Sequence, residues 1–202
     1  MKSVKLVSVD FQKDFSAEKG LCYIPRPCTE FIKNVLIPYV RKYNIKIAEI
    51  ISDYRLPRPG DEFECCVPGT DGYISEIPDD VKNSNVWIKS MNSPIWIREN
   101  RGVPGKPAGI PYPDPAAFTD WTKVNLGAPE DGDAVVLIGL TLDCCILCTA
   151  QELRFRGYHV KFLVEGVDTY GGSQEEKQEI LKVPLSNWGD PISWNQFKKT
   201  QV

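Results

Sequence analysis

At 202 residues, 42% hydrophobic and 25% charged, the chain has an ordinary globular composition and is long enough to bury a core without disulfide or metal staples. Its formal net charge is −3 and no basic run exceeds a pair, which argues against nucleic acid or a membrane surface as a partner. Seven cysteines, with two adjacent pairs (Cys65-Cys66 and Cys144-Cys145), do not read as a disulfide framework, so free thiols are expected.

The opening segment MKSVKLVSVDF is too short an apolar run for a secretion signal and is broken by an acid. No window approaches the ~18 apolar residues of a membrane-spanning helix. A cytoplasmic location is expected. VKLVSVD reads as a buried strand ending at Asp10. After the turn IPRPC, the segment TEFIKNVLIPYVRKYN places Ile32, Val35, Leu36, Tyr39, Val40 and Tyr43 at helical spacing. IKIAEIIS is a second strand, leading to Asp53, and SNVWIKS a third, ending near Lys89. DPAAFTDWTK opens a helix with Asp114 as cap and Pro115 in the first turn. DAVVLIGL is a fourth strand. A helix from about Asp143 to Arg156, closed by Gly157, separates it from the fifth, YHVKFLVEG. The final SNWGDPISWNQFKKTQV reads as a tail docked by its aromatic residues.

Strands that are unbroken apolar runs and alternate with helices predict a mostly parallel sheet covered on both faces. The expected fold is therefore α/β, a three-layer α/β/α sandwich, in a single domain over residues 1–202. Two Pro- and Gly-rich segments, YRLPRPGDEFECCVPGTDGY and SPIWIRENRGVPGKPAGIPYPDP, follow strand ends. Their length suggests that they cover or line a site.

Ligands of parallel sheets bind beyond the carboxyl ends of the strands. Asp10, Asp53, Lys89 and the Cys144/Cys145 pair all fall at that edge, so a site is expected there. The sole histidine, His159, starts strand five at the opposite edge, a helix length of ~20 Å away, and is read as structural. A cysteine nucleophile would then need another base. Asp10 can accept the thiol proton and return it to a leaving amine, while the Lys89 ammonium favours the thiolate. Cys145-x-x-Cys148 could instead be a redox pair or half a zinc site. Zinc would want a second such pair, and Cys65-Cys66 has the wrong spacing. Position alone does not decide between Cys144 and Cys145.

Three stretches, VDFQKDF, IKSMNSPI and GLTLDCCILCTAQELRFRGYHV, resemble the signatures of the isochorismatase-like cysteine hydrolases, a superfamily that includes nicotinamidases and N-carbamoylsarcosine amidohydrolases. Gly139, Leu140, Asp143, Cys145, Ile146, Thr149 and Ala150 match its last motif without a gap. The resemblance implies Cys145 as nucleophile, Asp10 as acid/base and Lys89 as the third catalytic residue. It also implies a cis peptide at Leu140-Thr141 and an oxyanion hole from the N–H groups of Thr141 and Cys145. The metal-binding branch uses an Asp-x-His motif and a second histidine. Here Asp53 remains, but Arg55 and Cys65 stand at the histidine positions, so no metal and no other cofactor is expected. Arg55 is read as a candidate substrate-binding residue for an acidic group, with pairing to Asp53, Asp61 or Glu62 as the alternative. The implied function is metal-independent hydrolysis of a C–N bond in a small amide, carbamoyl amine or ureide. The alternative is a non-catalytic binding or redox-sensing protein of the same fold. The expected partners are a small-molecule substrate and further copies of the chain.

Overall fold

The computed structural model describes residues 4–131, 133–182 and 188–200. Four residues of the C-terminal tail (Ser186, Asn187, Gln201, Val202) and Met1 to Ser3 of the opening segment lie outside them. In chain order the elements are β1 (Val4–Val9), α1 (Lys13–Ser16), α2 (Pro27–Phe31), α3 (Ile37–Lys42), β2 (Ile47–Ser52), β3 (Trp87–Lys89), β4 (Trp96–Ile97), β5 (Tyr112–Pro113), α4 (Pro115–Leu126), β6 (Ala134–Leu140), α5 (Leu147–Phe155), β7 (His159–Asp168), α6 (Gln174–Lys182), β8 (Asp190–Ile192) and α7 (Trp194–Lys199).

Six strands form one sheet in the order β3-β2-β1-β6-β7-β8, every neighbouring pair parallel. Side chains alternate between the two faces of a strand, yet every residue of β2 and all but the first of β6 are buried. Both faces are therefore covered, as the unbroken apolar runs require. The chain winds outward from β1 in one direction and from β6 in the other. That makes the β1/β6 boundary the switch point, where a crevice opens beyond the strand ends.

Register sets which residues meet there. Val9 pairs with both Ile50 and Gly139, and Ser52 pairs with Lys89. Gly139 has φ +109, and a Cβ at this position would lie 2.1 Å from the Val9 carbonyl oxygen. No other residue fits so close an approach of β6 to β1.

Several elements depart from the sequence reading, α6 among them, which it did not foresee. The expected single helix over 29–44 contains a π-helical turn, Ile32–Leu36, in which the Ile37 N–H reaches back to the Ile32 carbonyl. The widened turn falls just before Pro38, whose ring would clash with the carbonyl four residues back in a regular helix. The helix after β6 likewise begins with a π turn, Leu142–Ile146, and closes with Gly157 at φ +88. The tail is more than a docked segment, since it supplies the sixth strand and α7. Its Trp194 and Phe197 do pack against Phe31 and Tyr39. None of the helices of the described residues is long and apolar enough to cross a membrane.

Candidate active site

Asp10 follows β1 in the left-handed region (φ 50), a conformation that Asp tolerates better than most residues. Its N–H is tied to the Ile50 carbonyl at 2.9 Å. The carboxylate is completely buried. Oδ1 accepts a hydrogen bond from Ser52 Oγ (2.8 Å), and Oδ2 lies 2.8 Å from Lys89 Nζ. Lys89, also completely buried, donates to Ser52 Oγ (2.8 Å), to the Tyr54 hydroxyl and to the Met91 carbonyl (3.2 Å). Its Nζ is 3.5 Å from Cys145 Sγ. Burial works against its charge, but the Asp10 carboxylate and the Cys145 sulfur hold the ammonium above its ordinary range.

Cys145 sits in the π turn after β6. The bond from Leu140 to Thr141 is cis, and the Ile146 N–H returns to the Thr141 carbonyl at 3.1 Å. Its sulfur also lies 3.2 Å from the Tyr54 hydroxyl and 3.8 Å from Asn92 Oδ1. Contact with the neighbouring Cys144 thiol, burial and the Asp10 carboxylate push the Cys145 thiol above its usual range, against the pull of Lys89. A thiol held in this way would need a base before it could attack. Tyr54 is buried, and burial followed by the nearby Cys145 and Asp10 raises its hydroxyl too, so it remains a hydrogen-bonding phenol.

A cavity of about 350 Å³ opens onto this cluster. Cys145, Cys144, Thr141, Tyr54 and Asn92 line it on the inside, Arg58, Asp61 and Phe63 from the first long loop, and Phe15 and Tyr170 elsewhere. Its size suits a small molecule. Asp10, Lys89 and Cys145 are brought together as the strand-end argument expects. Cys148 is half-buried one turn further into the helix. His159 is exposed at the amino end of β7, paired with Ala134 at the far edge.

Arg55 requires a correction. It does not line the cavity. Nε and Nη2 grip Asp53 at 2.8 and 2.6 Å, Nη2 also donates to the Asn100 carbonyl (2.8 Å), and Nη1 donates to the carbonyls of Lys106 (2.7 Å) and Val103 (3.3 Å). Every guanidinium nitrogen is occupied internally, and the residue staples the second long loop to the end of β2. The alternative reading, pairing with Asp53, is the one observed. Asp53 also accepts from the Gly102 N–H at 2.9 Å. Sequence reasoning missed Tyr54, Asn92 and Arg58. Tyr54 and Asn92 lie one and three residues beyond residues already singled out, Asp53 and Lys89, and that adjacency was the available signal.

No protein-family model matches the chain, and no curated protein sequence does. Solved structures do. An isochorismatase family protein from Desulfovibrio vulgaris superposes with a TM-score of 0.65 at 14% identity, over 98% of each chain. The chain has the isochorismatase-like hydrolase fold. N-carbamoylsarcosine amidase from Thermoplasma acidophilum aligns over 95% of this chain and 96% of its own, with a TM-score of 0.59 and 19% identity. Pyrazinamidase of Pyrococcus horikoshii, solved in complex with zinc, aligns over 95% and 99%, with a TM-score of 0.63 and 18% identity.

Proposed function

We propose that this isochorismatase-like chain is a thiol-dependent amidohydrolase that cleaves a C–N bond of a small amide, carbamoyl amine or ureide. The observation that carries the reading is the Cys145 sulfur held beside the buried Lys89–Asp10 pair in the wall of a cavity of about 350 Å³. Asp10 takes the thiol proton as sulfur attacks the carbonyl carbon, and Lys89 steadies the negative charge on sulfur. The N–H groups of Thr141 and Cys145 would hold the tetrahedral oxyanion. Collapse breaks the C–N bond, with Asp10 returning the proton to the departing amine. Water then attacks the thioester, again losing a proton to Asp10, and the thiol is regenerated.

An ammonia-release screen over small amides and ureido acids, with Cys145→Ala as control, tests this reading. Alkylation of Cys145 by iodoacetamide, assigned by fragmentation of the peptide that carries Cys144, Cys145 and Cys148 and followed across pH, adds a readout of the thiol independent of turnover. Because the Asp10 carboxylate raises the thiol and Lys89 lowers it, Asp10→Asn should move the alkylation profile to lower pH while abolishing turnover. A binding protein that uses the cavity without chemistry would show no ammonia release from any substrate.

We infer from the donor set that the reaction needs no metal. A dication at Asp53 would have to displace a guanidinium already gripping both carboxylate oxygens. Among the described residues, no other group of acids, cysteines and histidines assembles a metal cage. Activity should survive exhaustive chelation, and purified protein should hold substoichiometric metal. A full equivalent of zinc or iron, lost together with activity, would overturn this.

A further inference from the structure

The first long loop carries a second arginine, three residues after Arg55, whose situation is the reverse. Arg58 lines the cavity and is 6% exposed. Its guanidinium stacks on the Tyr54 ring, 4.0 Å from the centroid, so its plane is fixed. Its ion pair, to Asp61 Oδ2 at 2.9 Å, uses Nη1, and Nε is buried with no hydrogen-bond partner among the described residues. A guanidinium offers a carboxylate a two-pronged grip along its Nε–Nη2 edge. Arg55 shows that grip filled, by Asp53. In Arg58 the Asp61 pair takes Nη1 and leaves the Nε of that edge without a partner among the described residues.

The same tyrosine that supports the guanidinium through its ring touches the Cys145 sulfur through its hydroxyl, at 3.2 Å. The arginine and the nucleophile are therefore about one tyrosine width apart. A buried donor left unpaired is costly, and an oxygen pair supplied by a ligand would satisfy it. Asp61 balances the arginine's charge in the free protein through Nη1 and does not engage Nε. The remaining cavity wall supplies aromatic rings, thiols, Asn92, Thr141 and the Asp143 carboxylate, so Arg58 is the one cation on it among the described residues.

We propose that Arg58 is the specificity residue of the cavity, and that the preferred substrate carries a carboxylate a few bonds from its scissile C–N bond. This rests on the amidohydrolase reading for the second half of the statement only. The carboxylate site itself is tested by binding. Titration calorimetry on Cys145→Ala, where turnover cannot intervene, compares two matched pairs: succinamate with butyramide, and N-carbamoylglycine with propylurea. The acid of each pair should bind about 10- to 100-fold more tightly than its neutral match. Arg58→Gln should erase that difference, and Arg58→Lys, which keeps the charge but not the fork, should lose most of it. Equal affinity for acid and neutral probes overturns the proposal, even if the Arg58 variants fail to fold. So does a preference that survives Arg58→Gln. Selective binding of the acids together with no ammonia release by the wild type would sink the amidohydrolase reading and leave the carboxylate site standing.

Discussion

Cys145→Ser should lose turnover by three orders of magnitude or so, while Cys144→Ala and Cys148→Ala keep most of theirs. The three cysteines lie within five residues, but their surroundings differ. Only the Cys145 sulfur reaches the Lys89 ammonium, at 3.5 Å, and the Tyr54 hydroxyl, at 3.2 Å, in the hydrogen bonds found among the described residues. A serine hydroxyl there would have to surrender a far less acidic proton to a carboxylate, with no histidine at that edge to help. Cys144 also lines the cavity, and its contact with Cys145, aided by Lys89, holds its thiol below the ordinary range. A thiol reagent can therefore mark Cys144 readily without identifying it as the nucleophile. Turnover is the decisive measurement. Should Cys144→Ala be the inactive variant, the attacking sulfur is one residue earlier than assigned.

The second large effect concerns stability. Arg55→Met should destabilise the protein by about 3–5 kcal/mol, because it strands the fully buried Asp53 carboxylate without its counter-charge. It also frees three backbone carbonyls of the loop that Arg55 holds. The urea midpoint reports the loss. Asp53→Asn combined with Arg55→Met should recover part of it, since the unpaired charge is then gone. Activity on acidic and neutral substrates should fall together, if at all. A stable Arg55→Met that loses only the acidic substrate would return Arg55 to the substrate site and contradict the hydrogen bonding described above.

Asp10 and Lys89 were legible because one directly follows and the other ends an apolar run, whereas Cys145 was told from Cys144 only by the motif resemblance. VKLVSV stops at Asp10 and WIK ends in Lys89, and parallel strands bring such ends to one edge. The arginines were not legible in this way. Arg55 and Arg58 sit in YRLPRPGD, where prolines break any helical or strand periodicity, so nothing in the spacing says which guanidinium turns toward the cavity. Arg55 is held by loop carbonyls 45 to 51 positions away, while Arg58 is placed by its near neighbours Tyr54 and Asp61. The π turns left no trace in the hydrophobic pattern beyond the misplaced-looking Pro38. β8 is three residues long and contains a proline, which disguises a strand. α6 was readable and missed: Ser173-Gln-Glu-Glu176 is a helix-start pattern, and the Glu176 N–H does bond to Ser173 Oγ at 3.2 Å.

The sheet order carries a consequence for the life of the chain on the ribosome. β1 is synthesised first, yet one of its two neighbours, β6, emerges about 130 residues later, after both Asp10 and Lys89 have been made. A nascent chain can assemble the carboxylate and ammonium across β1, β2 and β3, but the thiol arrives only when β6 closes the gap beside β1. Until then the Asp10–Lys89 pair has no thiol beside it. On the amidohydrolase reading, chemistry is thereby withheld from any copy cut short before β6, and becomes available in the same event that completes the middle of the sheet.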